Sequence, residues 1–280
     1  MRMLVLEEYF RASWPGRRGA FMPYVTAGYP SAAAMPGVLG MLADAGADCV
    51  EIGVPFSDPV ADGVTIQRAS QAALDRGGGL DGALRAVNIA ARHGLRPVLM
   101  SYANPLWQAR LPALARRLAG AGGQGVIVPD LPLELAAAWS GSFSREGLCL
   151  VLFAAPTTPV SRLRLAGRLT RGFLYYVSLA GVTGERRVLP AGLAARLREV
   201  RQAARASVCA GFGISTPAQA AAVAREADGV IVGAAFVRRL EGWNRGAGKR
   251  VEITRWARSM ARAVHSGGDS RANHGRMKSS

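Results

Sequence analysis

Residues Ala47–Gln67 read ADCVEIGVPFSDPVADGVTIQ. The first part, C-V-E-I-G-V, is an apolar run of strand length broken by one carboxylate, Glu51. A loop rich in proline, glycine and aspartate follows, and then V-T-I-Q-R-A-S-Q with the apolar spacing of a helix. A strand that is apolar on both faces must be covered on both sides, and it leaves here directly into a helix. That is the reading of a parallel βαβ unit. A carboxylate inside such a strand is costly unless it is paired or used for chemistry.

The same unit recurs along the chain. Eight apolar runs, AFMPYVTAG, CVEIGV, PVLMSYA, GVIVPD, LCLVLFA, FLYYVSLAG, SVCAGFG and GVIVGAA, alternate with helical segments. The segments are Ala32–Ala45, Val64–Asp75, Gly82–His93, Leu111–Ala121, Leu133–Arg145, Val160–Thr170, Ala191–Ala204 and Pro217–Glu226. Eight units in about 240 residues is the count of a closed (β/α)8 TIM barrel. A doubly wound open sheet is the alternative, but the first loop, A-G-Y-P-S, has no G-x-G-x-x-G. The expectation is an α/β protein with one TIM-barrel domain over residues 1–264, extra short helices, and a polar, basic, disordered tail over 265–280.

Composition removes several functional classes. Half of the 280 residues are hydrophobic, enough for a large core, yet no uncharged apolar run is long enough for a membrane span. Acids stand at Glu7 and Glu8, where a signal peptide would have its apolar core, so a cytoplasmic protein is expected. Cys49, Cys149 and Cys209 are far apart, each in or beside an apolar run, and read as small buried hydrophobes. The formal charge of +16 invites a nucleic-acid reading. However, eleven Lys/Arg against three Asp/Glu fall in the last 43 residues, and the other arginines are dispersed on helices. There is no aromatic-interleaved basic motif, so no specific nucleic-acid partner is expected.

In a (β/α)8 barrel the chemistry lies at the C-terminal ends of the strands. Lysine occurs only at Lys249 and Lys278, which excludes a Schiff-base lysine on a strand. Histidine occurs only at His93, His265 and His274, away from strand ends and without ligand spacing, so no metal site is expected. No G-x-S-x-G elbow is present. Carboxylates, tyrosines and backbone amides remain. The glycines of the last three loops, Gly181, Gly184, Gly211, Gly213 and Gly233, allow close backbone approach to a phosphate, although each could simply turn the chain. Burial would raise the pKa of Glu51, as suits a group that gives and takes protons near neutrality. Asp62 could stay ionised and hold a substrate N–H. Asp58 and Asp130 read first as turn residues, Tyr102 and Tyr175 as pocket walls, and Asp48 as structural.

Taken together, FMPYVTAGYPS, DAGADCVEIGVPFSDPVADGVTIQRA, VPDLP, APTTP, YYVSLAGVTGER and GFGIS closely resemble the tryptophan synthase α-subunit family, over about Phe10 to Trp256. The resemblance implies retro-aldol cleavage of indole-3-glycerol phosphate to indole and glyceraldehyde 3-phosphate. It implies Glu51 as general acid/base, Asp62 on the indole N–H, and Tyr175 near the reacting carbons. Phe212 would wall the indole pocket. Phosphate would sit on the amides of Gly184, Gly213, Gly233 and Ala234, and Thr183 would belong to a lid that reaches Asp62. It also implies a β subunit carrying pyridoxal phosphate, no cofactor in this chain, and an αββα complex contacted through Pro55 and Asp58. Ala234 departs from the family's frequent phosphate-contacting serine, and Leu179 and Val64 stand at variable loop positions. Other readings are a stand-alone lyase releasing free indole, a phosphosugar isomerase, and a weakly catalytic barrel that binds and activates β.

Overall fold

The computed structural model describes residues 4–12, 19–177, 189–211 and 213–276, with side chains through Gly267. Eight parallel strands close into one barrel in sequential order, β1 (Ala20–Thr26), β2 (Cys49–Gly53), β3 (Arg96–Met100), β4 (Gly125–Ile127), β5 (Cys149–Ala154), β6 (Leu174–Val177), β7 (Val208–Gly211) and β8 (Gly229–Val232). Closure is made by β1 pairing with β8, Phe21 opposite Val230 and Pro23 opposite Val232. The eight apolar runs thus form the eight strands, and every expected helical segment is helical.

The helices are α1 (Val5–Ala12), α2 (Met35–Asp44), α3 (Val64–Leu74), α4 (Leu80–Arg92), α5 (Ala103–Gln108), α6 (Leu111–Gly120), α7 (Ala136–Ser144), α8 (Val160–Leu169), α9 (Leu193–Ala204), α10 (Pro217–Ala224), α11 (Ala234–Leu240) and α12 (Ala247–Arg276). Thr216 caps α10 through a complete capping box with Gln219, with Pro217 in the first turn. Strand alternation divides the core in two. Val50, Ile52, Leu99, Leu150, Leu174 and Val230 face outward into the helix layer. Met22, Cys49, Val98, Ile127, Cys149, Val151, Cys209 and Ile231 fill the barrel interior. All three cysteines are buried and free.

Four helices, α1, α5, α11 and α12, lie outside the eight segments read as helical. α1 plugs the N-terminal end of the barrel with Leu6 and Phe10, both in the interior cluster, and Phe10 packs on Phe173 at 5.0 Å between ring centroids. Each buries an apolar side chain worth about 2 kcal/mol. α1 is amphipathic, but at eight residues it gains its helix from that docking rather than from propensity.

α12 runs on past His265, where the tail was expected to begin, with helical backbone to Arg276. The start of that stretch is held by packing. His265 Nε2 lies 2.8 Å from the buried Asp48 carboxylate, which also accepts the Phe21 N–H at 2.9 Å. Gly267 lies against α10, where a β-carbon would come within 2.6 Å of the Ala221 carbonyl oxygen. Asp48 is thereby structural, as its place before β2 implied.

Candidate active site

On β2 the interior positions are Cys49, Glu51 and Gly53, so alternation alone turns the Glu51 carboxyl into the barrel. Tyr24 is the register partner of Glu51 on β1 and also points inward, packed with Ile66, Ala69 and Val237. Gly53 is required here. A β-carbon at that position would collide with the Tyr24 hydroxyl, which also accepts a hydrogen bond from Thr26 Oγ1 at 3.3 Å. Gly211 does the same for Tyr175, whose hydroxyl would lie 2.9 Å from an added β-carbon. Gly211 was read as a candidate phosphate contact; in the structure it makes room for a tyrosine. Phe153 stacks on the Tyr175 ring at 4.9 Å and completes that wall.

Glu51 is 1 % exposed, and its Oε1 has no hydrogen-bond partner among the described residues. A carboxylate held for structure alone would be satisfied by amides or a cation. Burial, and then the nearby charge of Asp62, push the Glu51 pKa up to about 8. At neutral pH the group is a carboxylic acid, able to donate.

Asp62 sits half-buried in the loop after β2. Burial raises its pKa to about 6, opposed by a hydrogen bond from the Tyr102 hydroxyl. The same hydroxyl accepts the Ala61 N–H at 3.0 Å, and Gln67 Nε2 donates to the Asp62 carbonyl at 2.8 Å. Tyr102 therefore tethers the Asp62 loop, a different task from the pocket wall expected of it. Two carboxyl groups of unequal pKa in one cleft divide into an acid and an anion near pH 7. Tyr175 and Tyr24 are both pushed well above the ordinary tyrosine range, by burial first and by the Glu51 and Asp62 charges next, so both stay protonated.

The remaining expected residues fall as follows. Gly233 caps α11, and Ala234 begins it, buried. Gly213 has φ +66°, which favours glycine. Phe212, Thr183, Gly184, Gly181 and Leu179 lie outside the described residues. Pro55 is buried, whereas Asp58 is exposed, so of the two expected partner contacts only Asp58 faces outward. Asp130 accepts the Ala103 N–H at 2.8 Å at the start of α5, a structural role. Tyr24 and Phe153 were missed. Counting alternate residues along A-F-M-P-Y-V-T and C-L-V-L-F-A would have placed both inside the barrel.

Fold and site together define a (β/α)8-barrel enzyme with a buried carboxylic acid and a second carboxyl group at the strand ends. The family model described as tryptophan synthase alpha chain matches residues 10–265, and the chain belongs to that family. The tryptophan synthase alpha chain of Chloroflexus aggregans is 45% identical over 239 residues, 85% of this chain and 89% of the relative. The Mycobacterium tuberculosis tryptophan synthase structure superposes with a TM-score of 0.86 at 34% identity, covering 94% of this chain and 99% of that one. A structure of the tryptophan synthase α2β2 complex of Pyrococcus furiosus gives 0.79 at 33% identity, over 88% and 98% of the two chains.

Proposed function

We propose that the chain cleaves indole-3-glycerol phosphate to indole and glyceraldehyde 3-phosphate as the α subunit of a tryptophan synthase, and that Glu51 moves the proton. The observation that carries this assignment is the buried Glu51 carboxyl, whose Oε1 has no hydrogen-bond partner among the described residues, with the Asp62 charge nearby. Protonated Glu51 donates to the ring carbon that bears the glycerol chain. The ring nitrogen gains positive charge, which the Asp62 carboxylate stabilises through the N–H. Glu51, now a carboxylate, takes the proton of the adjacent glycerol hydroxyl. The carbon–carbon bond breaks, its electron pair returns to the ring, and the hydroxyl carbon becomes the aldehyde. The net change is one proton moved from oxygen to carbon, with Glu51 regenerated.

Tyr175 and Phe212 wall the indole, with Phe153 behind Tyr175, and Tyr102 holds the Asp62 loop. The phosphate rests on backbone amides at Gly184, Gly213, Gly233 and Ala234, with Thr183 in the lid. The first-turn amides of α11 lie outside the helix's own ladder, as at any helix start. Lysine and metal are not needed, because the protonated indole is itself the electron sink. The location belonging to this reading is the cytoplasm, in keeping with three buried free thiols.

The β subunit with its pyridoxal phosphate belongs to the same proposal, in an αββα assembly. Supporting it, the rim formed by the segments after β2, β3 and β4 exposes Val60 at 82 %, Trp107 at 66 % and Leu135 at 49 %, beside exposed Asp58. Such residues in neighbouring segments are the composition of a docking patch. The test is indole release by the wild type and Glu51→Gln, each with and without a β subunit. The proposal expects stimulation by β and loss of cleavage in Glu51→Gln. High activity that β leaves unchanged would remove the subunit assignment, and an active Glu51→Gln would remove the proton shuttle.

A further inference from the structure

At the opposite end of the barrel from Glu51, α8 and α9 run into β6 and β7 side by side. They can do so because Gly167 has no side chain: a β-carbon there would overlap the Ala204 carbonyl. Two adjoining cavities, of about 600 and 710 Å3, flank this contact and share Arg168, Gln202 and Arg205. Six arginines line them: Arg11, Arg164, Arg168, Arg171, Arg201 and Arg205. The acids are Glu7 and Glu199, and both are already engaged. Glu7 meets Arg11 and Arg171 at 3.3 Å, and Glu199 meets Arg196 at 2.7 Å. Arg201 is turned to Asp228 at 3.5 Å. Arg164, Arg168 and Arg205 have no acidic partner among the described residues, and all three are exposed.

Helix electrostatics explains part of this. Arg168 and Arg201 lie in the last turns of α8 and α9, where a cation offsets the dipole. It does not explain six arginines from three helices and a loop around one groove. Nor does it explain Arg205, a non-glycine residue held at φ 52° at the end of α9, where glycine is the ordinary solution. That backbone carries the Arg205 side chain at the point where the two cavities meet.

We propose that this groove is an anion site for a short linear oligophosphate. Guanidinium forks bind phosphate oxygens in pairs, and several unpaired forks in one groove favour a ligand with closely spaced charges. The lining carries no aromatic ring on which a nucleobase could stack, and its apolar members are Val160 and alanines. The phosphate chain itself is therefore what the groove recognises, rather than a nucleoside or a peptide with side-chain anchors.

The test is calorimetric titration of the full chain with tripolyphosphate at physiological salt. A single-stranded RNA oligonucleotide and an oligoglutamate peptide are the competing arms. The variants are Arg168→Ala/Arg205→Ala and a charge-matched control on the exposed face of α4, Arg85→Ala/Arg92→Ala. The expected result is saturable tripolyphosphate binding that the groove variant weakens at least ~10-fold and the control leaves unchanged. Indole release by the groove variant should match the wild type, and its circular dichroism should show the same fold. Absence of saturable binding, equal weakening in both double variants, or stronger binding of RNA or oligoglutamate than of tripolyphosphate would overturn the proposal.

Discussion

Glu51→Gln tests the acid's environment as well as its chemistry. The folded protein holds this carboxyl at a pKa of about 8, against an ordinary value of 4.5. Between those values the unfolded chain releases a proton that the folded chain keeps. Folding therefore takes up a proton, and stability falls as pH rises from about 4.5 to about 8. At about 1.4 kcal/mol per pH unit, the cost at pH 7 is on the order of 3 kcal/mol. Glutamine has nearly the shape of the protonated acid and no charge to lose, so the variant escapes that cost. It should melt roughly 5 °C higher than the wild type at pH 7 and still further above it at pH 8. Near pH 4.5 the two should converge. The same variant should lose at least ~10³-fold in kcat/KM, since one group serves both proton transfers. Calorimetric melting of both proteins across this pH range is the assay. A Tm difference independent of pH would falsify the claim that Glu51 is buried as a neutral acid, and the proton-shuttle assignment would go with it.

The proposed roles of the same groups predict a pH profile. Indole cleavage should be bell-shaped in kcat/KM. Loss of the Asp62 anion should cut activity below about pH 6, and loss of the Glu51 proton above about pH 8, the two being apparent values of a coupled pair. Because the Tyr102 hydroxyl lowers the Asp62 pKa, Tyr102→Phe should move the acidic limb upward and leave the alkaline limb in place; a limb that stays put would refute the tether. At the other end of the barrel, His265→Ala removes a partner from the buried Asp48 and should cost about 1–3 kcal/mol in chemical denaturation, with indole release unchanged at low temperature. A neutral result there would mean that the last turns of α12 contribute nothing to the fold.

How much could be read beforehand follows from what each feature depends on. The strand–helix alternation is local, since both-faces-apolar runs and 3.6-residue spacing lie within single segments, and all eight strands were legible. Glu51 was legible because a charge inside an apolar run is anomalous wherever the strand ends up. α1 and α12 were not, since α1 becomes helical by plugging a barrel that its own eight residues do not describe, and α12 continues through G-G-D-S from a packed start. Tyr102 showed its side chain in the sequence but not its task. Its hydroxyl reaches the backbone 41 residues earlier, a contact made only when β2 and β3 lie side by side.

By itself the sequence determined the barrel class, the strand that carries the buried carboxyl Glu51, and the family. Each of these rests on residues adjacent in the chain. Only the tertiary structure decided that Glu51 is neutral at pH 7, because its pKa comes from burial and from Asp62 across the mouth of a closed barrel. Only the tertiary structure brought Arg11 beside Arg171 on the one Glu7 carboxylate, with Arg205 in the same groove, because barrel closure joins segments that are far apart in the chain.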